Sequence, residues 1–143
     1  MQSVDLATGD GLEDAVAAQC WAEGVTDHAD VVRDLARSLL QSDVVRRAAA
    51  REHWRESYVA TAQEDGTVLE GFVDLLYRED DGRLVVVDYK TDDVPGEAWP
   101  ARAAFYAPQL RTYAEIVRSA MGSSDVEASL ATSSGAHVVT LDR

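Results

Sequence analysis

The sequence predicts a mixed α/β domain, because the spacing of its hydrophobic residues changes along the chain from a helical period to a strand period and back. Apolar residues recur at helical spacing over the first fifty residues, alternate from Trp54 onward, and regain a helical spacing before a final strand-like segment. The 143 residues, 46% hydrophobic and 27% charged, fit one globular domain. We therefore expect one domain, with a helical part over residues 1–50 and a core over residues 51–143.

Three helices are predicted in the N-terminal part. Asp10 can cap a helix over residues 11–22, and Thr26 can cap a second helix directly after it. A third short helix follows Ser42 and ends near Arg51, with an acidic residue in its first turn.

Three strands are expected to form a meander in the middle of the chain. The segments Trp54–Ala60, Thr67–Arg78 and Leu84–Lys90 are rich in Val, Leu, Phe and Tyr. Asp65-Gly66 predicts a hairpin turn between the first two, and Glu79–Arg83 a turn between the second and third. The third segment opens with four apolar residues, as is typical of a central strand that is buried on both faces.

The C-terminal part predicts one helix followed by strand. The helix is expected from about Pro108, which a first turn tolerates, to Met121, with Gly122 ending it. Residues 129–141, interrupted at 133–135, predict one or two final strands. The predicted order is therefore helices, a three-stranded meander, a helix and strand again.

The charge is strongly acidic, with 13 Lys and Arg against 26 Asp and Glu and a net charge of -13. Nucleic-acid-binding proteins normally carry a basic surface, so this domain's own electrostatics do not favour DNA. The net charge is -5 over residues 1–50, -8 over 51–100 and 0 over 101–143. Any DNA would have to be delivered to the domain, with the arginines of the neutral third as the nearest help, namely Arg102, Arg111 and Arg118.

Several classes of site and location are excluded or favoured by simple counts. Cys20 is the only cysteine, so the chain has neither a disulfide framework nor an iron–sulfur cluster of its own, and we expect a reducing compartment. Lys90 is the only lysine and follows Tyr89 instead of glycine, which excludes a phosphate-binding loop for ATP. The sequence shows neither a membrane-spanning run nor a signal peptide, so a cytoplasmic location is expected.

Two aspartates of the meander are predicted to face each other. A five-residue turn places Arg78 opposite Leu84, and the same register places Asp74 opposite Asp88. Like charges at cross-strand positions are destabilising, so a positive group is expected between them. Lys90 lies on the same face as Asp88, because side chains alternate along a strand.

Two interpretations of this arrangement are open from spacing alone. The three residues could form a structural ionic cluster, although burying a net negative triad is costly. Alternatively, the aspartates could bind a divalent cation of the kind that accepts carboxylates, water and substrate phosphates. Such a site supports phosphodiester hydrolysis, with the lysine positioning water or neutralising developing charge.

An ordered set of motifs resembles a known family. The segments are G-x-x-D at Gly71–Asp74, D-Y-K-T at Asp88–Thr91, and Q-x-x-x-Y at Gln109–Tyr113. In this order and approximate spacing they resemble the RecB-like nucleases of the PD-(D/E)XK superfamily, which end bacterial helicase–nucleases of the exonuclease V and AddA type. The resemblance covers roughly residues 42–122. It implies a restriction-endonuclease-like αβββαβ core, with a central mixed sheet flanked by helices and preceded by the N-terminal helices.

The resemblance also implies roles for individual residues. Asp74, Asp88 and the backbone carbonyl of Tyr89 would bind Mg²⁺ or Mn²⁺, and Lys90 would be the catalytic lysine. Glu56 matches the acidic residue that the family carries on the preceding strand. Gln109 and Tyr113 share a helix face, where they could brace the site or contact DNA.

The implied function is that of a metal-dependent deoxyribonuclease domain in DNA double-strand break repair and recombination. A helicase motor, in the same polypeptide or a partner subunit, would deliver single strands or ends, and neither a membrane nor ATP binding by this chain is involved. A catalytically silent scaffold that holds DNA or a partner is the alternative. The family usually carries an upstream histidine in a segment like G-x-x-x-H-x-x-L, and this sequence has no such segment. We therefore expect the chain to be a piece of a longer polypeptide that binds metal weakly on its own.

Overall fold

The fold is a five-stranded sheet with helices packed on both faces. It was obtained as a computed structural model and is described for residues 3–91, 96–132 and 135–139, excluding the side chains of residues 135–138. Two 3-10 turns, Thr26–His28 and Gly96–Ala98, precede the second and fourth helices. The elements are α1 (Leu12–Ala22), α2 (Ala29–Gln41), α3 (Asp43–Ala49), β1 (His53–Ala62), β2 (Val68–Arg78), β3 (Leu84–Tyr89), α4 (Trp99–Met121), β4 (Val126–Thr132) and β5 (Gly135–Val139).

The strand order in the sheet follows the chain, β1-β2-β3-β4-β5. The first three strands form an antiparallel meander, α4 crosses over to β4, which lies parallel to β3, and β5 returns antiparallel. The segment from α3 to β4 thus has the αβββαβ order of a restriction-endonuclease-like core. This confirms the predicted fold class.

The central strand β3 is buried on both faces, as its apolar run predicts. Val85 and Val87 pack into a cluster with α2 and α3, while Leu84 and Val86 pack against α4. Burial of apolar surface on both faces anchors this strand. The end of β3 is consequently a rigid place from which to present polar side chains.

The N-terminal helices form a second layer of core above one face of the sheet. Val44, Val45 and Ala48 of α3 are buried against β2 and β3. Around α1, a smaller cluster joins the helix to the N-terminal segment and α2. Within the described ranges, none of the helices is both long and apolar enough to cross a membrane.

The start of α4 differs most from the prediction. The helix begins at Trp99, nine residues before the expected start, and contains Pro108 in its interior. Pro100 lies in the first turn, where a missing N–H costs nothing, so the proline taken for a loop residue is compatible with the helix start. The interior proline removes one helical hydrogen bond, which packing of the helix against the sheet offsets.

Three smaller boundaries also differ. Gly11, in a left-handed conformation, occupies the N-cap position of α1, so the predicted cap by Asp10 is wrong. Thr26 starts a 3-10 turn, and α2 begins only at Ala29. The connection between β1 and β2 spans residues 63–67, closed by the Gln63 N–H donating to the Thr67 carbonyl at 2.7 Å, and is longer than a two-residue hairpin.

Candidate active site

The register between β2 and β3 is the predicted one. Backbone pairing runs from Arg78 opposite Leu84 to Leu75 opposite Val87. Asp74 and Asp88 occupy the next register position, where β3 goes on pairing with β4 and β2 goes on pairing with β1. The two carboxylates therefore lie where the strands begin to separate.

Asp74 closes this gap with a hydrogen bond to the neighbouring strand. Its Oδ2 atom accepts a hydrogen bond from the Tyr89 N–H at 2.7 Å. Partial burial raises the pKa of Asp74 above its ordinary value, the hydrogen bond opposes this rise, and the charge of Asp88 adds to it. Asp74 is thus fixed in place but carries an uncompensated electrostatic cost.

Asp88 is paired with the only lysine of the chain. The Lys90 Nζ lies 2.6 Å from the Asp88 Oδ2, and the Asp88 side chain is only 6% exposed. Within the described residues, this buried oxygen accepts no hydrogen bond of good geometry. A single ammonium cannot neutralise two carboxylates, so the arrangement retains net negative charge in a sparsely hydrated position.

α4 surrounds Lys90 with polar and aromatic groups. The Nζ atom lies 4.6 Å from the centre of the Tyr106 ring and 3.5 Å from the Gln109 Oε1. Gln109 in turn donates from Nε2 to the Tyr113 hydroxyl at 2.9 Å. The structure therefore brings both residues of the Q-x-x-x-Y motif to the lysine side of the site.

Tyr106 is a site residue that the sequence reasoning missed. Its position three residues before Gln109 places it on the same face of α4, and this spacing was the available signal. It was overlooked because the helix was expected to begin only at Pro108. The ring offers its electron-rich face to the lysine, an interaction that favours the charged ammonium.

Glu56 lies opposite Asp74 in the register of β1 and β2. The flanking pairs are Arg55 with Leu75 and Ser57 with Val73. Glu56 itself has a left-handed φ of 45°, which non-glycine residues rarely adopt. Its charge contributes to raising the pKa of Asp74. The acidic residue expected on the preceding strand is thus adjacent to the carboxylate pair.

The distortion at Glu56 coincides with a change of face in both strands. Trp54 and Val59 pack in the same cluster against α4, as do Val73 and Leu76, although strict alternation would place each pair on opposite faces. The register is the same on both sides of the distortion. The sheet is therefore bent at the carboxylates, a feature that often re-aims side chains at a site.

Gly71 of the first motif permits a close approach by α4. A Cβ atom at this position would lie 2.6 Å from the Tyr113 Cε1, which is far inside contact distance. Only glycine leaves room for the ring here. The G-x-x-D glycine and the Q-x-x-x-Y tyrosine thus pack against each other.

The donor set suits a hard divalent cation in part. Two carboxylates retain lone pairs toward the gap between the strands, and Mg²⁺ commonly takes one or two carboxylates together with water and phosphate oxygens. Among the residues that the structure describes, no group of three or more histidine, cysteine, aspartate or glutamate side chains is arranged to hold a metal ion. Asp74 and Asp88 would hold the ion, and the carbonyl of Tyr89 stays a prediction.

Comparisons with known proteins agree with this arrangement. Over 63 residues the chain is 40% identical to one component of the ATP-dependent helicase/nuclease of Carboxydothermus hydrogenoformans. The matched segment covers 44% of this chain and 5% of that relative, so the similarity concerns a small part of a much longer protein. The profile of the PD-(D/E)XK nuclease superfamily matches residues 4–141, almost the whole chain. The chain therefore belongs to the PD-(D/E)XK nuclease superfamily.

Proposed function

We propose that this chain is a metal-dependent deoxyribonuclease domain that hydrolyses phosphodiester bonds at the site formed by Asp74, Asp88 and Lys90. The observation that carries the proposal is the placement of a lysine 2.6 Å from one of two facing, partly dehydrated aspartates. A purely structural cluster gains little from an acidic pair with one cation, because replacing such groups by apolar residues is often neutral or stabilising.

Each residue has a distinct role in the proposed reaction. Asp74 and Asp88 hold Mg²⁺ or Mn²⁺, which when bound polarises a phosphoryl oxygen and acidifies a water molecule. Lys90 orients the attacking water and offsets the charge that develops on the phosphate oxygens. Gln109 and Tyr113 hold the lysine side of the site in place, and Glu56 adds negative charge beside Asp74.

The proposed setting is a helicase–nuclease that acts in double-strand break repair and recombination. A motor domain, in the same polypeptide or in a partner subunit, would deliver single strands or DNA ends to this domain. This division of labour accounts for a nuclease domain whose own net charge is -13. Bacterial DNA lies in the cytoplasm, and that is the location we propose.

Cleavage of labelled single-stranded DNA with Mg²⁺ or Mn²⁺ tests the proposal. We expect Asp88→Ala to reduce the rate by at least about 100-fold, since loss of groups that merely support a metal ligand already costs roughly 10- to 100-fold. Glu64→Gln, which removes an exposed carboxylate in the β1–β2 connection, is the matched control and should leave the rate unchanged. Equal rates for wild type and Asp88→Ala would contradict the proposal.

A silent scaffold is the second candidate, favoured by the absence of a three-ligand cluster among the described residues. Calorimetric titration with Mn²⁺ separates the two functions. The nuclease predicts binding that is lost in Asp74→Asn and Asp88→Asn, whereas the scaffold predicts no such binding, together with DNA or partner affinity that is unaffected by these substitutions.

A further inference from the structure

One face of α4 carries a row of aromatic and polar side chains that begins at the catalytic lysine. Arg102, Phe105, Tyr106 and Gln109 follow a spacing of three, one and three residues, so they lie within about a third of the helix circumference. We call these four residues the α4 row. Tyr106 and Gln109 contact Lys90, so the row is continuous with the carboxylate site.

The outer half of the α4 row combines a cation with an exposed aromatic ring. The Arg102 guanidinium lies 5.8 Å from the centre of the Phe105 ring and 5.4 Å from the centre of the Tyr106 ring. The two rings meet edge to face at 5.1 Å. Phe105 is 70% exposed, which is unusual for a large aromatic residue that could have packed into the core.

The charge of α4 is opposite to that of the rest of the chain. The helix holds three arginines and one glutamate, a net charge of +2, within a chain of net charge -13. Tyr106 lies beneath two cations, Lys90 and Arg102. A polyanion that approaches the carboxylates therefore meets its most favourable charges along this row.

We propose that the α4 row binds single-stranded nucleic acid beside the scissile phosphate, with Phe105 stacking on a base and Arg102 contacting the adjacent backbone phosphate. The inference rests on the proposed nuclease function and names how its substrate is held. Exposed aromatic rings that alternate with cations are the usual means of binding single strands, because every base has a face that can stack. Duplex DNA, whose bases are already stacked, would gain nothing from Phe105.

Fluorescence anisotropy with a labelled oligothymidine measures this binding on the full chain, with Ca²⁺ in place of Mg²⁺ to occupy the carboxylates. We expect Phe105→Ala to weaken binding by about 5- to 150-fold, the range for loss of one stacking platform. Arg102→Ala should weaken binding and reduce the slope of log affinity against log salt by about 0.7. Phe105→Trp should retain the affinity.

Matched controls lie elsewhere on the surface. Arg111 is nine residues after Arg102 and therefore on the opposite side of α4, so Arg111→Ala removes the same charge from the same helix but outside the row. Trp21 on α1 is 79% exposed, and Trp21→Ala removes an exposed aromatic ring away from the site. Both control variants should bind the oligonucleotide as the wild type does.

The outcomes separate this inference from the proposed function. Wild-type levels of binding by Phe105→Ala and Arg102→Ala, equal losses on duplex and single strand with Phe105→Ala, or no binding by the wild type would each overturn the inference, the first assigning the row to a protein contact. If the wild type binds through the row but cleavage is insensitive to Asp88→Ala, the inference stands and the nuclease proposal fails. Normal cleavage with an unchanged KM in both row variants has the reverse meaning.

Discussion

Gly71 and Tyr113 are paired by a steric requirement that makes the glycine of the G-x-x-D motif necessary for more than backbone freedom. Gly71→Ala is expected to displace the Tyr113 ring, because the new Cβ would lie 2.6 Å from its Cε1. Overpacking of this kind costs about 1 to 3 kcal/mol, and the hydrogen bond from Gln109 to Tyr113 should be weakened with it. Urea unfolding and the cleavage rate measure the two effects.

Gly96 provides the matched control for this substitution. A Cβ at Gly96 would meet nothing within 4 Å, so Gly96→Ala should change neither stability nor activity. Combining Gly71→Ala with Tyr113→Ala should recover part of the lost stability. An additive loss in the double variant would show that the two residues do not interact.

Asp74 is expected to oppose folding at neutral pH in the absence of metal. Its pKa is raised mainly by burial, so the folded state favours the protonated carboxyl and disfavours the ionised one. This penalty is absent below the ordinary carboxyl pKa, grows as the pH rises through the raised value, and is complete above it. Asp74→Asn, which keeps an oxygen to accept the Tyr89 N–H, should therefore stabilise the metal-free protein at pH 7 by on the order of 1 kcal/mol.

Thermal unfolding in a chelator at pH 7 and at pH 4 measures this effect. The advantage of Asp74→Asn should shrink at the lower pH, because the wild-type carboxyl is then largely protonated, and it should reverse when Mn²⁺ is added. The exposed Glu64→Gln substitution should show neither change. A variant that is less stable than the wild type at pH 7 would show that the carboxylate is stabilised in the fold.

A buried carboxylate joins α3 to the end of β2. Glu79 is 9% exposed and contacts Arg47 at 3.2 Å and Arg51 at 3.1 Å, while the Tyr77 hydroxyl donates to it at 3.2 Å. Burial is the largest cause of the rise in the pKa of Tyr77 to about 12, so this phenol stays neutral over the usual pH range. The cluster ties the N-terminal helices to the strand that carries Asp74.

Removal of this link should loosen the packing of α3 against the sheet. Glu79→Ala is expected to cost about 1 to 3 kcal/mol, because two arginines and a buried hydroxyl lose their shared acceptor. Asp80 pairs with the same Arg51 at 2.7 Å but is 84% exposed, so Asp80→Ala should cost less than about 0.5 kcal/mol. Equal losses of stability in the two variants, measured by denaturant unfolding, would contradict the view that burial gives Glu79 its importance.

The charge of the whole chain predicts an unusual dependence of DNA binding on divalent cations. In a chelator, a net charge of -13 and the facing aspartates should repel phosphate, so the wild type should bind single-stranded DNA poorly. The double substitution Asp74→Asn with Asp88→Asn should bind more tightly than the wild type under those conditions. Mg²⁺ should raise the affinity of the wild type and leave that of the double variant unchanged.

Fluorescence anisotropy at constant ionic strength distinguishes this effect from general screening. The monovalent salt concentration is adjusted so that the chelator and Mg²⁺ samples have the same Debye length. Affinity in the chelator that equals the affinity in Mg²⁺ would show that the cation acts only as bulk salt.

Local signals were sufficient to predict the meander and its carboxylates. A five-residue turn between β2 and β3 fixed their register, so the alignment of Asp74 with Asp88 followed from counting residues. The unbroken apolar run of β3 likewise predicted a central strand, since only a strand covered on both faces tolerates it. These features depend on residues within about twenty positions of one another.

Features that depend on how α4 crosses the sheet were beyond such reasoning. The helix starts at Trp99 because its first turn accepts proline and its face packs on β4 and β5, and neither contact is visible in local spacing. This longer helix places the Tyr106 ring under Lys90. The position of Glu56 opposite Asp74 likewise depended on the five-residue connection between β1 and β2, which the Asp-Gly signal alone did not predict.

By itself, then, the sequence determined the order of the elements, the register of the aspartates and the family, because turn lengths, periodicity and motif spacing are properties of neighbouring residues. Only the tertiary structure decided which groups surround Lys90, where the sheet bends, and that Glu79 is buried instead of lying in a solvated turn. These features arise where elements distant in the chain pack together, and the free energy of that packing is shared among contacts that no single segment contains.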